Sequence, residues 1–212
     1  MSSHIFDQAY RQSFIKGIQK GVEFGHFDPR FLNFDLDLLS KNLVLDRDHE
    51  FEYLGLQTLY ERYLAKLGGS KDEMLETPQA FWMRVAMGIS LNEPQPNERA
   101  IEFYNLLSQL LFVSSTPTLL HSGLVRAQLS SCFLSTVNDD LNHIFKCMGD
   151  NANMSKWSGG VATDWTNLRG TGAMIKTINV ESQGLIPFLK IANDVTAAIN
   201  RSGRRRVHRL HI

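Results

Sequence analysis

Through the first half of the chain, apolar residues return every three or four positions. Phe6, Tyr10, Phe14 and Ile18 stand four apart with Ile15 and Val22 beside them, a stripe that predicts an amphipathic helix over residues 4–23. Gly25 ends it. Asp28-Pro29 then offers a side-chain cap and a proline at the first helical position, where its missing N–H costs nothing, and predicts a short helix through Leu39. The helical pattern resumes from Phe51 to Leu67 and halts at Gly68-Gly69-Ser70. Thr77-Pro78 repeats the cap-then-proline device for a helix through Met87, and Pro94 and Pro96 punctuate the chain. A helix from Asn97 to Leu111 then turns Ile101, Tyr104, Leu107 and Leu111 inward.

From Phe112 onward the period changes. Serines, threonines, glycines and short apolar alternations replace the helical stripes, so residues 1–111 read as a helical domain and a second domain starts at residue 112. Residues 129–136 and 160–166 read as strands, and residues 140–154 and 184–200 as helices. The class is therefore α+β to α/β, with strand and helix alternating in the second part. Leu141, Phe145 and Met148 on one predicted helix, and Leu185, Phe188, Ala192, Val195 and Ile199 on the other, form apolar stripes that core packing alone can explain.

The segment Gln128-Leu129-Ser130-Ser131-Cys132-Phe133-Leu134 places two hydroxyls and a thiol within a short apolar alternation. As a strand it would hold Cys132 rigidly while Leu129 and Phe133 lock into a core. A thiol delivers reducing equivalents efficiently only with a second thiol to close a disulfide. The other cysteine, Cys147, sits between Lys146 and Met148 on a predicted helix and reads as a core residue. Gly159-Gly160 lets backbone approach a ligand closely, because neither residue has a Cβ.

Composition narrows the alternatives. The 212 residues are 43% hydrophobic, ample for a core, and 22 basic side chains balance 22 acidic ones. No overall field draws nucleic acid or anionic membrane, so any anion site is local. Met1-Ser2-Ser3-His4 lacks the basic and apolar regions of a secretory signal, and the apolar run from Leu110 to Val113 is far too short to span a bilayer. A cytosolic, cytoplasmic protein is the expectation. The two cysteines form neither a disulfide framework nor a metal-ligand spacing.

The ordered motifs S-T-P-T-L (Ser115–Leu119), S-S-C-F-L (Ser130–Leu134), S-G-G (Ser158–Gly160), N-L-R-G-T-G (Asn167–Gly172) and E-S-Q-G-L-I-P (Glu181–Pro187) resemble the large, catalytic subunit of class I ribonucleotide reductase. The likeness runs from about Ile5 to about Arg206. It implies a helical N-terminal domain followed, over residues 112–206, by the first part of a ten-stranded α/β barrel. Cys132 falls where the family keeps one of the redox thiols that reduce the ribose 2′ position. Thr116, Ser131 and Gly160 fall on its substrate pocket, where hydroxyls and backbone N–H groups suit ribose and phosphate. Asp140, Lys156 and Arg169 match contacts to an allosteric effector, a deoxynucleoside triphosphate or ATP, and Gly170-Thr171-Gly172 fits a mobile effector loop. Asn200-Arg201-Ser202-Gly203 takes the place of a second loop that relays effector identity to the active site.

The resemblance further implies a homodimer paired through helices 140–154 and 184–200, with the effector site at the interface. Further implied partners are a separate small subunit carrying the metal-radical cofactor and a thioredoxin- or glutaredoxin-type reductant. No cofactor is expected in this chain itself. Residues 207–212 do not continue the family pattern, and the radical cysteine, the second redox cysteine and the later barrel strands have no counterpart here. The expectation is a truncated piece of a ribonucleoside-diphosphate reductase large chain, inactive alone. The alternatives are one half of a split enzyme, or a non-catalytic nucleotide-binding or dimerisation remnant.

Overall fold

The computed structural model describes residues 2–67, 74–156, 159–199 and 210–211. They form two compact units, residues 1–129 and 130–212.

The first unit is helical. Helix α1 (Ser2–Glu23) buries Phe14 and Ile18, while Phe6 lies 61% exposed at the outer end of the predicted stripe. Gly25 at φ +66° turns the chain out of the helix. Asp28 Oδ1 accepts from Arg30 N at 2.9 Å and caps a single 3-10 turn, Pro29–Asn33. Asp35 then caps a separate helix, α2 (Leu36–Lys41), accepting from Leu38 N at 2.9 Å. One predicted helix is therefore two, because a second aspartate restarts it. Helix α3 (Tyr53–Thr58) widens into a π turn at Leu59–Tyr63. The predicted stop at Gly68-Gly69-Ser70 lies outside the described residues.

Helix α4 (Pro78–Ser90) is the centre of this unit, with Phe81, Met83, Val85, Ala86 and Met87 wholly inaccessible. Its proline start holds as predicted, but Thr77 makes no side-chain cap bond. Helix α5 (Pro96–Ser108) packs on α4 and ends three residues before the predicted Leu111. The cause is Leu110, which takes φ +56° so that the Leu111 and Phe112 amides both donate to Leu106 O. Tyr104 and Leu107 point inward as expected, whereas Leu111 is 70% exposed. Helix α6 (Thr116–His121) follows.

The change of patterning at residue 112 and the division of the fold at 129–130 do not coincide. Residues 112–129 pack with the helices: Leu119 belongs to the first core, Phe27 and Leu124 form a β-bridge, and Ser122 Oγ donates to Val85 O at 2.8 Å. The buried Arg84 accounts for much of this. Its Nε lies 2.6 Å from Glu76 Oε1, and its Nη1 donates to Leu119 O at 3.1 Å and to Ser122 O at 2.8 Å. Glu76 Oε2 in turn accepts from Ala65 N at 2.8 Å.

The second unit opens with strand β1 (Cys132–Thr136), crosses through helix α7 (Leu141–Lys156) and returns as strand β2 (Gly160–Asp164), parallel to β1. Both strands are shorter than predicted. A hairpin that the pattern did not predict, β3 (Met174–Ile175) with β4 (Val180–Glu181), precedes helix α8 (Ile186–Ile199). Leu210–His211 forms β5, parallel to β2, giving a sheet of order β1-β2-β5. Val137, Ile144, Cys147, Met148 and Trp165 make the core, with Leu185, Phe188 and Ala192 of the predicted stripe packed against it. Among the described residues this is an open sheet with its crossover helix, the start of a barrel and not a closed one. The Asn200–Gly203 segment lies outside the described residues. Among the described residues no helix is long and apolar enough to cross a membrane.

Removing one partner of a buried ion pair strands the other charge, so Glu76→Leu or Arg84→Met should each destabilise the chain by about 3–5 kcal/mol. The double change should cost less than the sum of the two by at least about 1 kcal/mol. Guanidinium denaturation of the four proteins checks this; strict additivity would show that the pair is not coupled.

Candidate functional site

The parallel register sets Cys132 opposite Gly160, Phe133 opposite Val161, Leu134 opposite Ala162 and Ser135 opposite Thr163. Alternation then sorts the side chains onto two faces. Ser135 and Thr163 face α7, where Ser135 Oγ donates to Asn151 Oδ1 at 3.3 Å and Asn151 Nδ2 donates to Thr163 Oγ1 at 2.8 Å. Cys132, Leu134 and Thr136 take the other face together with Gly160, Ala162 and Asp164. That face is bare: Leu134 is 85% accessible and Cys132 is exposed. Leu129, expected to lock into a core, lies outside the strand and is exposed. The thiol is anchored instead by β1–β2 pairing and by the partly buried Phe133.

The two glycines before β2 have different jobs. A Cβ on Gly159 would stand 2.6 Å from Phe133 Cε2 and 3.1 Å from Met154 O, so this position is glycine for packing. A Cβ on Gly160 would stand 3.2 Å from Ser131 O and 3.9 Å from Cys132 Sγ. Its absence leaves room beside the thiol. Gly160 N also donates to Ser131 O at 2.8 Å, fixing the residue just ahead of Cys132.

Cys147 is buried under α7, its Sγ donating to Thr136 O at 3.8 Å and lying 3.6 Å from His143 Nδ1. The two thiols are on opposite faces of the sheet and both are free. Within one chain they are not a redox pair, and Cys147 has the core role that the sequence suggested.

Thr116 is the first residue of α6 in the first unit, with its Oγ1 3.4 Å from Tyr63 OH. Ser131, Cys132 and Gly160 belong to the second unit. On the open face, Asp164 accepts from Thr166 Oγ1 and from Thr166 N at 2.9 Å, bonds that hold its carboxyl below the usual carboxylate range.

The charged set divides. Asp140 Oδ1 accepts from His143 N at 2.8 Å, capping α7 at its first turn, whereas Lys156 is the last residue of that helix. Sixteen residues of helix separate them by about 24 Å. Arg169 pairs not with Asp140 but with Asp139, Nε to Oδ2 at 2.7 Å. The two line an open cleft of about 370 Å³ with Ala173, Met174, Ile175, Lys176 and Thr177. Asp139 and Lys176 were missed by the sequence reading. The signal for Asp139 was available: of the Asp139-Asp140 doublet, the residue directly before the first apolar helical position Leu141 is the cap, which leaves its neighbour to pair elsewhere. Gly170-Thr171-Gly172, read as a mobile loop, is tied to the far side of the hairpin. Gly172 N donates to Ser182 O at 2.9 Å and Thr171 Oγ1 to Gln183 O at 3.2 Å.

Two family profiles match this arrangement in order. Residues 49–127 match the ribonucleotide reductase all-alpha domain and residues 130–210 match the ribonucleotide reductase barrel domain. The chain is 50% identical to the ribonucleoside-diphosphate reductase subunit alpha of Chlamydia pneumoniae over 200 residues, 94% of this chain and 19% of that one. It is 40% identical to the subunit alpha of Helicobacter pylori strain 26695 over 173 residues, 82% of this chain and 22% of that one. It is 37% identical to the ribonucleoside-diphosphate reductase large subunit of Arabidopsis thaliana over 169 residues, 79% of this chain and 20% of that one. The chain thus spans about a fifth of the length of the curated relatives it matches.

The unequal roles of the glycines have a measurable consequence. Gly159→Ala forces a methyl against Phe133 and the end of α7 and should destabilise the chain by about 1–3 kcal/mol. Gly149→Ala, in mid-helix with nothing within 4 Å of its Cβ, should stabilise it by roughly 0.5–1 kcal/mol. Equal midpoints in urea for these two variants would contradict the packing.

Proposed function

Because the chain belongs to the ribonucleotide reductase large-subunit family, we propose that it contributes the helical domain and the opening strands of a ten-stranded α/β barrel in a cytoplasmic ribonucleoside-diphosphate reductase. The observation that carries this is Cys132, a free thiol on the bare face of a parallel sheet, in register with a glycine that leaves space beside it. Thr116, Ser131 and Gly160 serve the nucleoside diphosphate. In the reduction two thiols close to a disulfide and release two electrons and two protons; the ribose 2′ oxygen leaves as water and carbon 2′ gains hydrogen. Cys132 supplies one of those sulfurs. The other is not Cys147, which is buried on the wrong face. A separate small subunit with a metal-radical cofactor and a thioredoxin- or glutaredoxin-type reductant are the partners this chemistry calls for.

The effector reading takes a particular form here. Asp140, Lys156 and Arg169 meet one triphosphate only if two copies contribute, since Asp140 and Lys156 stand at opposite ends of one helix. The apolar residues left exposed on α7 and α8, Leu141 at 60%, Phe145 at 49% and Ile186 at 71%, offer a face for that second copy.

Two measurements test these proposals. The chain alone should make no deoxynucleotide. Adding the remaining four-fifths of a relative's large chain, its small subunit and a dithiol should yield product that Cys132→Ser lowers by at least about a thousandfold and Cys147→Ser leaves within about twofold. Undiminished product from Cys132→Ser would overturn the assignment of the thiol. Sedimentation should show a dimer that Phe145→Asp shifts to monomer; a wild-type chain that stays monomeric at high concentration removes the two-copy effector site.

A further inference from the structure

The π turn at Leu59–Tyr63 is the least regular piece of helix in the first unit, closed by Leu64 N donating to Leu59 O at 3.0 Å. Such turns cost helical hydrogen-bond geometry and recur where a side chain has to be aimed. The added width rotates Tyr63 by about one helical position, some 100°, relative to a regular α-helix. Its ring then meets the buried Phe81 edge-on, at 6.3 Å between centroids and 71° between planes, and its hydroxyl stands 3.4 Å from Thr116 Oγ1.

Both partners rest on one frame. Arg84 lies with its guanidinium carbon 5.1 Å over the Phe81 ring and donates to the carbonyls of Leu119 and Ser122, at the end of the helix that Thr116 begins. Ring packing alone would be served as well by phenylalanine. The hydroxyl is what packing leaves unexplained.

We infer that Tyr63 is a positioning residue for the phosphate end of the substrate, its hydroxyl donating to Thr116 Oγ1 so that the threonine proton is directed at an anionic oxygen. This rests on the reading that Thr116 contacts the nucleoside diphosphate. At 3.4 Å the contact is longer than a fully formed hydroxyl bond of about 2.7–2.8 Å. A ligand oxygen that accepts the Thr116 proton makes Oγ1 a better acceptor, and the Tyr63 bond shortens with it. Charge on the ligand strengthens the chain of donors, so the device favours phosphate over a neutral sugar.

The test is equilibrium dialysis of labelled cytidine 5′-diphosphate and of cytidine against the chain and against Tyr63→Phe, Thr116→Val and the double variant. Tyr63→Phe should weaken the diphosphate by about three- to tenfold and leave cytidine within about twofold, with an unchanged thermal midpoint. Thr116→Val should weaken the diphosphate at least as much, and adding Tyr63→Phe to it should cost less than a further twofold. If Thr116→Val weakens binding and Tyr63→Phe does not, the inference fails and the reading of Thr116 stands. If neither variant changes binding, or the diphosphate does not bind, the reading of Thr116 fails and takes the inference with it. Equal losses for diphosphate and nucleoside, or additive losses in the double variant, would assign Tyr63 a structural role only.

Discussion

Arg84 is the residue on which the first unit turns. A guanidinium without solvent is costly to bury, and that cost is offset only when its N–H groups are answered. Here Glu76 answers on one side and the carbonyls of Leu119 and Ser122 on the other, while Phe81 lies under the plane. Replacing this cluster with packed hydrophobes could raise stability, as buried pairs often allow. What hydrophobes could not do is tell the chain at Leu119–Ser122 where to stop, because apolar contacts have no direction and hydrogen bonds do. Gly88 completes the joint, since a Cβ there would collide with Ser122 Oγ and Gly123 N. The helix that opens with Thr116 is thereby fixed to α4, and with it the only hydroxyl that Tyr63 meets among the described contacts.

In the second unit the corresponding constraint is strand register. A slip of one residue between β1 and β2 would exchange the faces of the slipped strand, putting Cys132 under α7 and Phe133 in the open. Gly159 opposes that slip because only a glycine accommodates the Phe133 ring and the Met154 carbonyl together. The Ser135, Asn151 and Thr163 hydrogen bonds oppose it as well, since they match only when polar residues of both strands share the helix-covered face. An exposed thiol is thus held by strand pairing and by contacts made on the other side of the sheet.

The helices were legible because burial on one side writes a 3.6-residue period into the sequence, and Phe14, Ile18, Tyr104 and Leu107 obey it. Their ends were less so. Leu111 fits the stripe of α5 but falls after a left-handed residue, Leu110, that no propensity announces. The β3–β4 hairpin was invisible because strands of two residues are shorter than any periodicity window; its one signal is Asn179, at φ +53° in the turn. Arg84 and Glu76 carry no such signal, since a pair that spans a helix start has no sequence period. Chemistry divided the same way. Cys132 stood out by its strand and Cys147 by its helix, but the roles of Thr116, Asp140 and Arg169 came from resemblance alone, and only coordinates could give Arg169 to Asp139.

Helix α7 acts as a ruler within the second unit. Its first turn is capped by Asp140 and its last residue is Lys156, so charges that the family resemblance assigns to one ligand are set about 24 Å apart by the rise of the helix. An α-helix does not shorten to bring its ends to one ligand. If one triphosphate is to contact all three, a helix end from elsewhere has to come up to the first, as in the two-copy arrangement proposed above. Asp139 already pairs with Arg169, so a phosphate arriving there would have to compete with a carboxylate for the guanidinium. Exposed pairs of this kind are worth little on their own, so exchanging a carboxylate for a phosphate there costs the fold almost nothing.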